Sequence, residues 1–158
     1  VLVEGLLKQA KSPDEVAAVL GHEIGHVEAR DATRGALRAA GSAGLLSMVL
    51  GDFAGGTAAV VIAEYTLNAS YTREAEAEAD TYARNMLDEA DVSTAGMSDF
   101  FGSLGDLESK MPDLPLYLSS HPDTAARAGR AADFAQTQMA TTPVLDKTEW
   151  AALLAICD

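Results

Sequence analysis

The sequence predicts a mainly helical α+β domain with a minimal sheet, and three features carry that reading. Apolar residues recur at three- and four-residue spacings along most of the chain, the pattern of helices with one buried side. A strand-like run, Val1-Leu2-Val3, opens the chain and reads as the end of a strand. The 158 residues, 48% of them apolar, suffice for one domain with a sizeable core, so 1–158 is expected to be a single unit. A chain that opens without methionine inside an apolar run reads as a fragment or processed product lacking upstream strands, and it shows no signal peptide.

Residues 4–10 predict a short helix that stops at Ser12-Pro13. A longer helix starts there. Ser12 is its N-cap, Pro13 its first residue, and Glu15 is placed to close a capping box. Val16, Leu20, Ile24 and Val27 then form a stripe expected to face the core, and the helix is expected to continue to about Ala40. His22 and His26 lie four apart on this helix, so both imidazoles project from one face and can meet a single metal ion. Glu23 is about 100° round the helix from His22, which suits a carboxylate working on a water beside the metal. This is the H-E-x-x-H pattern of zinc peptidases, which requires a helix and a third ligand from elsewhere. Gly21 and Gly25 each cost about 1 kcal/mol against alanine within a helix, so a pair beside two histidines implies close backbone approach. Arg30, Arg34 and Arg38 repeat every four residues, a solvated basic ridge.

Residues 41–63 carry Asp52 as their sole charge. A spanning helix needs about 20 continuous apolar residues, and Gly51-Asp52 with Gly55-Gly56 divide this run. Two short buried helices, or a lid over the cleft, are preferred to a membrane hairpin, with an amphiphilic patch resting on a membrane as the alternative.

Alanine content and apolar spacing make 72–87 a helix. Helical phase puts Glu74 and Glu78 opposite the apolar arc and turns only Glu76 and Asp80 inward. A carboxylate facing a core must be paired or bound to metal. Glu76 is therefore the expected third ligand, and Asp80 the acceptor for a ligand histidine's other N–H. Residues 93–110 read as an amphipathic helix with Met97, Phe100, Phe101, Leu104 and Leu107 on its buried side. Pro112 and Pro115 then force a loop leading to His121-Pro122 and a helix through about Gln138 that carries Arg127. His121 stands at a loop-to-helix junction, a common place for a functional side chain, but by position alone an ordinary cap is the preferred reading. Asp146 and Glu149 mark the start of a closing helix through Trp150 and Leu154.

Composition narrows the function. A formal charge of −13, from 24 acids against 11 lysines and arginines, argues against a nucleic-acid groove. A single cysteine, Cys157, allows no internal disulfide and reads as an incidental thiol. Repeats, low-complexity tails and Gly-rich phosphate loops are absent from the sequence.

Three pieces in order, Gly21-His22-Glu23-Ile24-Gly25-His26-Val27, then Thr72-Arg73 followed by Glu76-Ala77-Glu78-Ala79-Asp80, then Ser120-His121-Pro122 with Arg127, resemble the gluzincin metallopeptidases of the HtpX, prenyl-CAAX endopeptidase and BepA type, metallopeptidase family forty-eight. The resemblance runs from Gly5-Leu6-Leu7 to Arg127. It implies an active-site helix and a second ligand helix, one zinc ion on His22, His26 and Glu76, Glu23 as catalytic base, and His121 and Arg127 near the active site. It also implies a protein or peptide substrate and a membrane-associated or cell-envelope setting, through 41–63 or through upstream sequence. Thr72 stands where the family usually has serine. The family's small sheet, whose edge strand pairs with substrate, falls mostly upstream of Val1, so the fragment is expected to hold metal yet bind peptides poorly. His121 and Arg127 are expected either to hold a developing oxyanion or, for His121, to fill the open zinc position. The alternative function is a zinc-stabilised binding or chaperone-like module without proteolysis.

Overall fold

The computed structural model describes residues 4–50, 57–110, 121 and 124–157, with side chains left out at 57–70, at 107–110 and at a few positions from 43 to 50. Helix α1 is Glu4–Gln9, α2 Pro13–Glu28, α3 Asp31–Leu50, α4 Thr57–Glu89, α5 Ala95–Lys110, α6 Thr124–Ala135 and α7 Lys147–Leu154, followed by a 3-10 turn, Ala155–Cys157. The architecture is mainly helical. Among the described residues there is no strand, and the expected strand remnant Val1-Leu2-Val3 lies outside them.

Local signals decide where α2 and α7 begin. Ser12 caps α2 through Oγ, which accepts the Glu15 N–H at 3.2 Å, with Pro13 in the first turn. The capping box there is displaced by one residue, because the Glu15 carboxylate accepts from Lys11 N at 3.1 Å rather than from the cap itself. Asp146 and Glu149 complete a full capping box on α7. Helix α6 stops at Ala135, short of Gln138, whose Oε1 instead accepts from Thr94 N at 2.9 Å and so ties the chain after α6 to the start of α5.

The core lies where α2, α4, α5 and α6 meet. Ala18, Val19, Ala83, Leu87, Val92, Met97, Phe100, Phe101, Leu104 and Ala131 form one buried cluster. A smaller one, Leu7, Ala10 and Val16, is covered by Trp150 and Leu153 of α7. The side of α2 that is buried is not the stripe of large residues. Val16 is buried, but Leu20 is 36%, Ile24 44% and Val27 76% exposed, whereas Ala18, Val19, Gly21, His22 and Gly25 face inward. The small residues explain this. A Cβ at Gly25 would stand 2.9 Å from Ala79 Cα and 3.1 Å from Ala79 O, so α2 and α4 touch backbone to backbone. At Gly21 a Cβ would meet Met86 Cε at 2.8 Å.

The motif helix does not run on to Ala40. It ends at Glu28, and Arg30 takes a left-handed φ of 57° before α3 restarts at Asp31. The 41–63 segment does not form separate short helices where it is described: 41–50 belong to α3, with Leu45 66% and Met48 85% exposed rather than buried, 57–63 belong to α4, and 51–56 lie outside the described residues. Over the described residues no helix is long and apolar enough to cross a membrane. Pro112, Pro115 and Pro122 lie outside the described residues.

Candidate metal centre

Four side chains from three parts of the chain converge: His22 and His26 of α2, Glu76 of α4, and His121 ahead of α6. One donor atom from each lies within 4.8 Å of all the others. His22 Nε2 is 3.0 Å from His26 Nε2 and 3.3 Å from His121 Nδ1. Glu76 places Oε2 3.4 Å from His22 Nε2, Oε1 3.2 Å from His26 Nε2, and both oxygens 2.9 Å from His121 Nδ1. His22 and Glu76 are buried; His26 and His121 are partly so.

The outer partners fix which ring nitrogens carry hydrogen. Asp31 Oδ2 lies 2.8 Å from His26 Nδ1 and Asp80 Oδ1 3.0 Å from His22 Nδ1. A carboxylate only accepts, so each Nδ1 carries a hydrogen, which leaves Nε2 as the atom of each ring that could bind a metal. Two imidazole nitrogens 3.0 Å apart beside a carboxylate call for a positive charge among them, a proton or a metal ion. Zinc fits this donor set: with zinc–nitrogen bonds of about 2.0–2.1 Å at tetrahedral angles, donor atoms stand roughly 3.3 Å apart. The observed separations bracket that value.

Electrostatics point the same way. Hydrogen bonding to Glu76, opposed by burial and assisted by Asp31, raises the His26 pKa to about 9, so the metal-free cluster binds a proton instead. Burial alone would raise the Glu76 carboxyl. Hydrogen bonds to His121, His22 and His26 and the charge of Arg127 outweigh it and hold Glu76 well below the ordinary carboxylate range. Asp80 is likewise opposed by burial and held down by its bonds to His22 and Arg127.

Arg127 lies beneath the cluster, 2% exposed, with its guanidinium 4.1 Å above the Phe101 ring centroid. Nε donates to Asp80 Oδ2 at 2.8 Å and Nη2 to Asp80 Oδ1 at 2.7 Å, while Nη1 stands 2.7 Å from Glu76 Oε2 in an ion contact without hydrogen-bond angles. Nη2 also lies 3.2 Å from His22 Nδ1, and two donors meeting there are reconciled by Asp80, which accepts from both. Glu23 stands at the rim, its side chain 48% exposed and Oε1 3.8 Å from His121 Nε2. Glu74 and Glu78 are exposed, as helical phase requires.

Sequence reasoning missed Asp31. On an unbroken helix it would sit about 140° round from His26, and only the left-handed turn at Arg30 swings it in. Neither glycine, proline nor asparagine marks that turn. Tyr71, whose Oη donates to Asp31 Oδ1 at 3.2 Å, was also unassigned.

The sequence profile of peptidase family M48 matches residues 1–135. This chain belongs to peptidase family M48. It is 33% identical over 141 residues to metalloprotease YcaL of Escherichia coli (strain K12), covering 80% of this chain and 51% of that protein. With metalloprotease LoiP of the same organism the identity is 30%, over 80% of this chain and 52% of LoiP. With the mitochondrial metalloendopeptidase OMA1 of Arabidopsis thaliana it is 32%, over 81% of this chain and 26% of OMA1. The M48 chain thus spans about half the length of the first two relatives and a quarter of the third. No solved structure matches it significantly.

Proposed function

We propose that this M48 chain carries the catalytic site of a zinc-dependent endopeptidase, with zinc held by His22, His26 and Glu76. The observation that carries the reading is the pair of imidazole Nε2 atoms 3.0 Å apart beside a buried carboxylate, with a half-exposed Glu23 at the rim. Bound zinc supplies a Lewis acid for the substrate carbonyl and lowers the pKa of a coordinated water toward about 7. Glu23 takes the proton from the water that attacks the peptide carbonyl and returns it to the leaving amine. It is placed for this because it borders the cluster without belonging to it. Asp80 and Asp31 hold the two α2 imidazoles with Nε2 turned inward. Arg127, committed to Asp80 and Glu76, fixes the ligand carboxylate, so contact with a developing oxyanion falls to His121 rather than to both residues.

One observation favours a second reading, a zinc-stapled binding or chaperone-like module. His121 Nδ1 lies within the donor cluster, and a fourth protein donor makes the closed set of a structural zinc site. Metal analysis combined with casein digestion separates the two. Glu23→Gln is expected to keep its zinc and lose cleavage by at least about 100-fold, the scale of general-base catalysis. A zinc-loaded parent that cleaves nothing, while His121→Ala stays equally inert, supports the module instead.

A further inference from the structure

We infer that Asp31 is a positioning residue for the metal centre, acting through His26 and itself held by Tyr71, on whose ring Arg38 stacks. The inference rests on the metal reading above and adds a part to it. Asp31 Oδ2 takes the His26 Nδ1 hydrogen at 2.8 Å, which selects the tautomer whose Nε2 faces Glu76. Its other oxygen accepts from Tyr71 Oη at 3.2 Å, and the Arg38 guanidinium stacks 3.6 Å from the Tyr71 ring centroid. Burial, reinforced by the Asp31 charge, raises the Tyr71 pKa, so the phenol stays a donor.

The backbone supports the assignment independently. Arg30 adopts φ 57°, a conformation that L side chains rarely take, and such strain persists only where the surroundings over-determine it. Its effect is to end α2 and start α3 with Asp31 turned onto His26. The two histidines are therefore oriented by different means. Asp80, under His22, shares its charge with Arg127 through two hydrogen bonds. Asp31, under His26, accepts from a neutral phenol in place of a guanidinium. His26 is accordingly the more electron-rich ligand, and its strength is tied to the packing of α3 on α4, which contributes Tyr71.

The test is metal affinity of the whole chain, read by competition with a chromophoric chelator for zinc and by the visible absorption of the cobalt-substituted protein. Asp31→Asn keeps the shape and removes the charge, and it is expected to weaken zinc binding about 10–100-fold and to alter the cobalt bands. Tyr71→Phe is expected to weaken binding several-fold, and Glu74→Gln, exposed on α4, to stay within two-fold of the parent. Asp31→Asn within two-fold of the parent, with unchanged cobalt bands, overturns the inference. Should Asp31→Asn misfold by circular dichroism, Tyr71→Phe decides, a parental affinity there being the overturning result. A parent chain that takes up no metal overturns the zinc reading and this inference together, whereas a metal-binding parent beside an unaffected Asp31→Asn overturns this inference only.

Discussion

At the scale of single residues, the site is a balance of charges that needs one positive occupant. Without metal, His26 supplies it by keeping a proton, because Glu76 beside it and Asp31 behind it outweigh the burial that opposes them. The folded pKa of about 9 exceeds the ordinary 6.5, which fixes the sign of the pH dependence. Below about 6.5 both folded and unfolded chains hold the proton and the stabilisation is complete. Between those two values only the folded chain holds it, so the metal-free protein loses stability as pH rises and has lost this contribution above about 9. Chelator-treated protein is therefore expected to melt at progressively lower temperature from pH 6.5 to 9, and His26→Gln to flatten that dependence. An unchanged slope in His26→Gln would remove His26 as the proton's holder. The inward phase of Glu76 and Asp80 was legible in the sequence, since helical geometry fixes it without knowledge of the partner. The part played by Asp31 was not, since it depends on a left-handed arginine that no local signal announces.

At the scale of elements, the contact between α2 and α4 sets the distance from the histidines to Glu76. Small residues choose that contact. Sequence periodicity marked Leu20, Ile24 and Val27 as the buried stripe, but the flat strip of Gly21 and Gly25 lets α4 approach more closely, and the branched residues turn outward. Periodicity reports that a helix has an apolar side; which side a neighbour takes depends on shape. The glycine pair tests this. Gly25→Ala puts a methyl 2.9 Å from Ala79 Cα, where only backbone movement gives relief, so it is expected to cost about 1–3 kcal/mol and to weaken metal binding. Gly21→Ala meets the end of the flexible Met86 side chain, and up to about 1 kcal/mol of helix propensity offsets the clash, leaving stability nearly unchanged. Chemical denaturation of the two variants checks the contrast, and equal losses would show that the close approach at Gly25 is not what holds α4 in place. The caps at Ser12 and Asp146, by comparison, were legible because their partners lie within four residues.

At the scale of the whole molecule, the candidate metal centre joins parts far apart in sequence: α2, α4 and residue 121 near the start of α6. The mainly helical class followed from local periodicity, but this closure is a long-range property, inferred from residue type and phase rather than read directly. Whatever binds the cluster binds the folded state, because the separated ligands of an unfolded chain make no site, and only three histidines and one cysteine are available to compete there. Free zinc at 1,000 times its dissociation constant then adds about 4 kcal/mol of stability. For a domain of this size, each kcal/mol moves the melting temperature by roughly 2–4 °C, giving an expected rise of about 8–16 °C over chelator-treated protein. Glu76→Ala removes a ligand and is expected to abolish that rise, while Glu74→Ala, exposed two residues earlier on α4, retains it. Equal responses from the two variants would mean that zinc stabilises the protein from somewhere other than this cluster, and the helical phase that singled out Glu76 would lose its chemical meaning.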